Sequence, residues 1–232
     1  MLARLVYPLC LLVGALLAVV AGVLHPDLTG DGAAQLTTIA QCGAWRVIHW
    51  TFLFGFPLAL TGLVGLARAH VATPGENAVR AGVIVGTFAY GAWTVTVAFM
   101  GGAGWSLAHS FTIADAGMTA TRAVFLFDMI HPFALTTQRV AGFALGLSTC
   151  LFCWGVLGGK VLPRWLGTAG LAAGAVAMAL ALVFREDTKA DQAAFVLPVL
   201  WQLVTGAVGL LLSARPEAHD APGPAVRRVG TA

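Results

Sequence analysis

Charge is what this chain lacks most. Of its 232 residues only 13 are Lys or Arg and 10 are Asp or Glu, 10% together, against roughly 25% in a soluble domain. Hydrophobic residues make up 59% of the chain, and the mean hydropathy is +0.86. A water-soluble fold of this size has too little interior to hide that much apolar surface. The composition therefore excludes a soluble globular enzyme and a disordered chain. The net charge of +3 is too small to draw a polyanion, so no nucleic-acid partner is expected. There is no P-loop, no G-x-S-x-G and no EF-hand pattern. The four cysteines form no readable disulfide framework. Cys150 and Cys153 make a C-x-x-C, but on a continuous apolar segment rather than at the strand-to-helix turn of a redox site, and they read with Cys10 as small buried hydrophobes.

What is present is a set of long uncharged intervals. A helix needs about 20 apolar residues to cross the hydrocarbon core. Residues 5–26, 47–67, 81–104, 140–159, 165–184 and 192–214 meet that requirement. The interval 81–114 is longer than one span, and Gly101, Gly102 and Gly104 are expected to end the helix there, with Trp105 at the interface. The first interval is longer than a signal-peptide core of about 7–15 residues and is read as a helix. The fold class is thus all-α: a polytopic integral membrane protein, a six-helix transmembrane bundle within 1–215. A Gly-, Pro- and Ala-rich tail, 216–232, is expected to be disordered and cytoplasmic.

Two connecting segments are too polar to cross and too long to be turns: 27–44 and 110–139. Both are expected to form short amphipathic helices on the outer interface. In the second, 114–130 should be mostly helical and lie along the interface, with Phe125–Phe127 packed on the bundle. Lys and Arg in the connecting segments favour one orientation by eight to five, which puts both termini in the cytoplasm of a cell-membrane protein. Gly82–Gly86, Gly142–Gly146 and Gly170–Gly174 are small-xxx-small pairs that permit close helix approach in lipid. Pro57 and Pro198 fall inside spans and read as bends. No span holds an Asp, Glu, Lys or Arg, which argues against a proton-driven pump or a voltage sensor.

The histidines carry the one functional signal. His70 and His219 are assigned to the inner side. His25, His49, His109 and His131 all fall near the predicted outer boundary, each on a different segment. Imidazole is the commonest protein metal ligand and the usual haem axial ligand. His49 lies inside a span, where an ionisable group is a functional candidate by default. His49, His109 and His131 are expected to converge with Asp128 around an outward pocket, with His25 at its rim, to hold a metal ion or a b-type haem. Asp27 and Asp115 lie beside them. Trp45, Trp50 and Trp105 would supply apolar walls, as would Phe111 and Phe133. Gln202, deep in the last span, is a further pocket candidate, or else an interhelical hydrogen-bonding group. Against this stands a plainer reading: His and Trp favour membrane interfaces because they join an apolar body to a polar tip. Two functions follow from the sequence. One is a metal-, haem- or small-molecule-binding pocket at the extracytoplasmic face. The other is a non-catalytic scaffold or accessory subunit that binds a partner, or a second copy, through its Gly-rich helix faces. No residue pattern assigns a reaction.

Overall fold

The computed structural model describes residues 2–113, 118–184 and 188–214. Asp115, Arg215 and the 216–232 tail lie outside them. Among the described residues all regular structure is helical, and six helical stretches are long and apolar enough to cross a membrane. In chain order the α-helices are α1 (Leu2–Leu24), α2 (Gly32–Gln41), α3 (Trp45–Ala69), α4 (Glu76–Phe99), α5 (Trp105–Ile113), α6 (Met118–Gly158), α7 (Arg164–Val183) and α8 (Lys189–Ser213). Helices α1, α3, α4, α6, α7 and α8 follow one another around a ring, and α8 closes it against α1. An even number of crossings brings the start of α1 and the end of α8 to the same end of the bundle. That end is called proximal here and the opposite one distal.

Glycine explains how the ring closes so tightly. A β-carbon on Gly174 would lie 2.6 Å from the Gly146 carbonyl oxygen, and one on Gly86 would lie 2.8 Å from Ser148 Oγ. Each expected small-xxx-small pair thus meets a neighbouring helix of this same chain. Those faces are filled, so they are not surfaces left for a partner helix. Side-chain hydrogen bonds to backbone carbonyls reinforce the contacts: Ser148 Oγ donates to Gly82 O at 2.8 Å and Thr96 Oγ1 to Ala134 O at 2.9 Å. Pro57 and Pro198 sit within α3 and α8, which run through them.

Two sequence expectations are corrected at the distal end. The glycines at 101, 102 and 104 do not stop the fourth helix. They form a π-helical turn, Met100–Gly104, from which the chain continues as α5. Residues 118–130 do not make a separate interfacial helix either. They are the first part of α6, which has 41 residues and runs through Pro132 without a break. At 1.5 Å per residue α6 is about 60 Å long, twice the hydrocarbon thickness of about 30 Å. The helical stretch Glu76–Ile113, with 38 residues, is nearly as long. The two pack antiparallel and carry helix beyond the α7–α8 turn. Arg139 marks that level: it reaches the C-terminus of α7, where Nε donates to Ala181 O at 2.5 Å and Nη2 to Leu182 O at 2.7 Å. A guanidinium there satisfies end carbonyls and complements the helix dipole.

The connecting segment 27–44 does contain a short helix, α2. Asp31 caps it, its Oδ1 accepting from Ala34 N at 2.9 Å, and Leu36 and Ile39 are fully buried on its inner face. Helix α2 packs on α5 and on the first part of α6. Leu36, Ile39, Trp45, Met100, Ala108 and Phe127 form a small second core there. Phe127 is buried as expected. Phe125 and Leu126 are not: they are 62% and 46% exposed, because a straight α6 turns them away from α5.

Candidate functional site at the distal end

Helix α1 ends at Leu24 because Pro26 disfavours a helical residue before it. His25 is therefore held at the rim, half-buried, with Nδ1 2.8 Å from its neighbour's carbonyl, Pro26 O. Helix α3 opens with Trp45, which is fully buried. Its Nε1 donates to Met100 O at 2.8 Å. That carbonyl belongs to the π turn and also receives the Trp105 N–H five residues on. One turn further into α3, His49 is 3% exposed and its Nδ1 lies 2.8 Å from Trp45 O. The three rings touch: His25 to Trp45 at 4.9 Å, Trp45 to His49 at 4.4 Å and His25 to His49 at 5.2 Å between centroids. His49 also rests on the π turn. A β-carbon at Gly101 would lie 2.7 Å from His49 Cβ.

These contacts fix the tautomers. A backbone carbonyl only accepts, so both Nδ1 atoms carry the proton and donate. In the neutral ring Nε2 is then the lone-pair nitrogen. Burial holds the pKa of His25 below the ordinary histidine value, which favours its neutral form near pH 7. The pair therefore offers two imidazole nitrogens from two helices, with their outer ring positions anchored as metal-ligating histidines usually are.

The remaining candidates are elsewhere. His109 is exposed on α5 and stacks on Trp105, 5.3 Å away and 7° from parallel. Arg46 lies 5.0 Å from the centre of that same indole. His131 stacks on Phe127 at 4.6 Å. The exposed Asp128 carboxylate sits against Gly32, in the first turn of α2, where a helix dipole favours negative charge. Asp27 is bound by Lys189 Nζ at 2.6 and 2.7 Å, and this partner holds its carboxyl below the usual range. Trp50 faces outward and lines a shallow groove of about 440 Å³ with Arg46, Val47, Thr51 and Phe54. Gln202 lies in the bundle interior, its Oε1 accepting from Tyr90 OH at 2.6 Å, so the interhelical reading of this residue holds. Among the described residues no three His, Cys, Asp or Glu side chains form a group able to hold a metal ion. The expected set of His49, His109, His131 and Asp128 is not assembled; His49 meets His25 instead.

A haem between the paired rings does not fit. Opposed axial imidazoles have metal–nitrogen bonds of about 2 Å and nitrogen-to-ring-centre distances of about 1.1 Å, which puts ring centres about 6 Å apart and collinear with the iron. The pair is closer than that, with ring centres 5.2 Å apart. Comparison with family models, with curated proteins and with solved structures finds no match for this chain.

One residue with a part in the site escapes sequence reasoning, and another has a different part from the one expected. Trp45 was expected as a pocket wall, yet it is the hydrogen-bonded hub between the histidines and the π turn. Gly101 provides the seat for His49. The glycine cluster at 101–104 was the available signal, and it was read as a helix end. At the proximal end His70 is another surprise for a loop residue. It is fully buried, with Nδ1 2.9 Å from Leu66 O and a buried Nε2 that has no hydrogen-bond partner.

Proposed function

We propose that this is a multi-pass cell-membrane protein with cytoplasmic termini, which binds a small ligand at its extracytoplasmic, distal face through Nε2 of His25 and His49. The observation that carries the reading is the pair itself: two rings 5.2 Å apart on separate segments, both with Nδ1 at a backbone carbonyl. The neighbouring π turn adds weight, since π-bulges inside α-helices occur frequently at functional sites. The orientation rests on the eight-to-five Lys and Arg bias and the positive-inside rule.

Diethyl pyrocarbonate, which acylates the lone-pair nitrogen of neutral imidazole, tests the site in the detergent-purified full chain. Peptide mapping should find His25 and His49 modified well before the buried His70, and a species that co-purifies with the native chain should be missing from His49→Ala. If both histidines stay unmodified and the two proteins carry the same bound species, the reading fails. A reporter fused after Arg215 should be active only inside the cell.

The scaffold reading has one observation of its own, which is not the glycine faces. Phe125, Leu126, Met129, Ile130 and Phe133 form an exposed apolar stripe on the first half of α6. A photo-crosslinker at Phe125 that captures one defined membrane protein in cells would favour an accessory subunit. Capture of lipid alone would count against it.

A further inference from the structure

The ring geometry of the histidine pair restricts what it can hold. Suppose one ion lies on the lone-pair axis of both rings. Each ring centre is then about 3.1 Å from it, from a bond of about 2 Å and about 1.1 Å within the ring. Ring centres 5.2 Å apart close that triangle at a nitrogen–metal–nitrogen angle of about 115°. Octahedral and tetragonal ions ask for about 90° or 180° between ligands, whereas trigonal and tetrahedral ions ask for about 120° or 109°. The angle thus selects ions without ligand-field directionality.

The donor set points the same way. Both donors are neutral nitrogens, and among the described residues no carboxylate joins them: Asp27 is engaged by Lys189, and Asp128 lies against α2. Hard cations such as Mg²⁺ and Ca²⁺, which need six or more oxygens, are excluded. The nearest aromatic neighbour, Trp45, touches both rings and closes one side of the pair to water. Two protein ligands leave at least one coordination position for an exogenous donor, as in open metal sites.

On these grounds, and resting on the reading that His25 and His49 form the ligand site, we infer that the occupant is a closed-shell d¹⁰ metal ion, Cu(I) or Zn(II), held by the two Nε2 atoms with an open position. The chemistry is common to both ions, and the charge of the site separates them. Two neutral ligands at a partly buried position tolerate one positive charge better than two, because the cost of burying charge rises steeply with it. Cu(I) should therefore be preferred.

The test is a titration of the detergent-purified full chain, anaerobically with Cu(I) against a colorimetric Cu(I) chelator, and in parallel with Zn(II), Cu(II) and Ni(II). One equivalent of Cu(I) or Zn(II) should bind. His25→Ala and His49→Ala should each weaken it by on the order of 100-fold, the upper end of what even a ligand-supporting residue costs, and His109→Ala should leave it unchanged. His25 lies at the rim, so its variant reports on the site even if His49→Ala folds poorly. X-ray absorption of the loaded protein should show a shell of three or four light donors that includes two imidazoles. Binding by both histidine variants as tight as by the native chain, or tighter binding of Ni(II) or Cu(II) at the pair, would overturn the inference. So would a pair that diethyl pyrocarbonate modifies but that takes neither d¹⁰ ion, and in that case the site reading survives. A pair that is neither modified nor metallated ends both.

Discussion

The Tyr90–Gln202 hydrogen bond is the sharpest place to test the packing that holds the bundle together. It joins α4 to α8 across the ring, at 2.6 Å, between side chains that are 4% and 1% exposed. Tyr90→Phe keeps the ring that packs 5.4 Å from Phe56 and removes only the hydroxyl. Gln202 Oε1 then loses its donor in the buried interior of the bundle. Interhelical hydrogen bonds in membrane proteins average about 0.6 kcal/mol and reach about 1.7. A buried acceptor left without its donor costs about 1–3 kcal/mol. For a short bond at this depth the upper part of the first range applies, so Tyr90→Phe should destabilise by about 1–2 kcal/mol. Gln202→Leu leaves the phenol without an acceptor and should cost a similar amount. The double variant removes both polar groups together and should be no less stable than either single one, a coupling of at least about 1 kcal/mol. Reversible unfolding in mixed micelles measures this, since 1.4 kcal/mol is about tenfold in the equilibrium constant. If the two single effects simply add in the double variant, or if Tyr90→Phe matches the native chain, the bond is not what ties α4 to α8.

Two more perturbations follow from the site and its opposite end. Gly101→Ala puts a β-carbon 2.7 Å from His49 Cβ, an overpacking expected to cost about 1–3 kcal/mol and to change the rate of His49 acylation; Gly102→Ala, with no atom in reach, should leave the rate unchanged and the thermal midpoint the same or higher. Burial lowers the pKa of His70 in the folded chain, so the unfolded chain binds that proton more readily. The resulting stability is fully present above the unperturbed value of about 6.5 and declines as pH falls below it. The thermal midpoint should accordingly drop more between pH 7.5 and pH 5 in the native protein than in His70→Gln, and equal drops would show that His70 does not titrate on unfolding.

The transmembrane part of the fold was legible because its signal is strong and local. Six uncharged intervals map onto α1, α3, α4, α6, α7 and α8, and the errors lie at their distal ends. Glycine was the source of one. In an isolated helix Gly101, Gly102 and Gly104 weaken the backbone, and a stop is the natural reading. In the folded chain Trp45 Nε1 donates to Met100 O and His49 rests against Gly101, and these tertiary contacts sustain a wide turn that propensity alone would not. Charge was the source of the other. With Arg122 and Asp128 within it and Arg139 at its end, the segment 110–139 reads as too polar to cross the membrane. Each is accommodated by α6: Arg122 is exposed, Asp128 meets the start of α2, and Arg139 meets the end of α7.

The candidate site was half legible for a geometric reason. The sequence assigns a histidine a depth, from its distance to the helix end. It does not assign the place of that helix in the ring, or the direction of the side chain, which turns by about 100° with each residue. His25 and His49 share a depth and also lie on adjacent members of the ring, α1 and α3, so they meet. His109 fails on depth. Because the chain continues through the π turn, it lies eight residues past Gly101, about 12 Å of helix beyond the level of His49. His131 fails on direction. Thr96 contacts Ala134 between the antiparallel α4 and α6, so residues near 130 on α6 lie level with Gly101 and hence with His49. Helix α6 is nonetheless separated from α3 by α4 in the ring, and the His131 ring lies on Phe127. Equal depth gathers ligands only when ring order agrees with it, and here the agreement extends to two histidines, the number that sets the chemistry of the site.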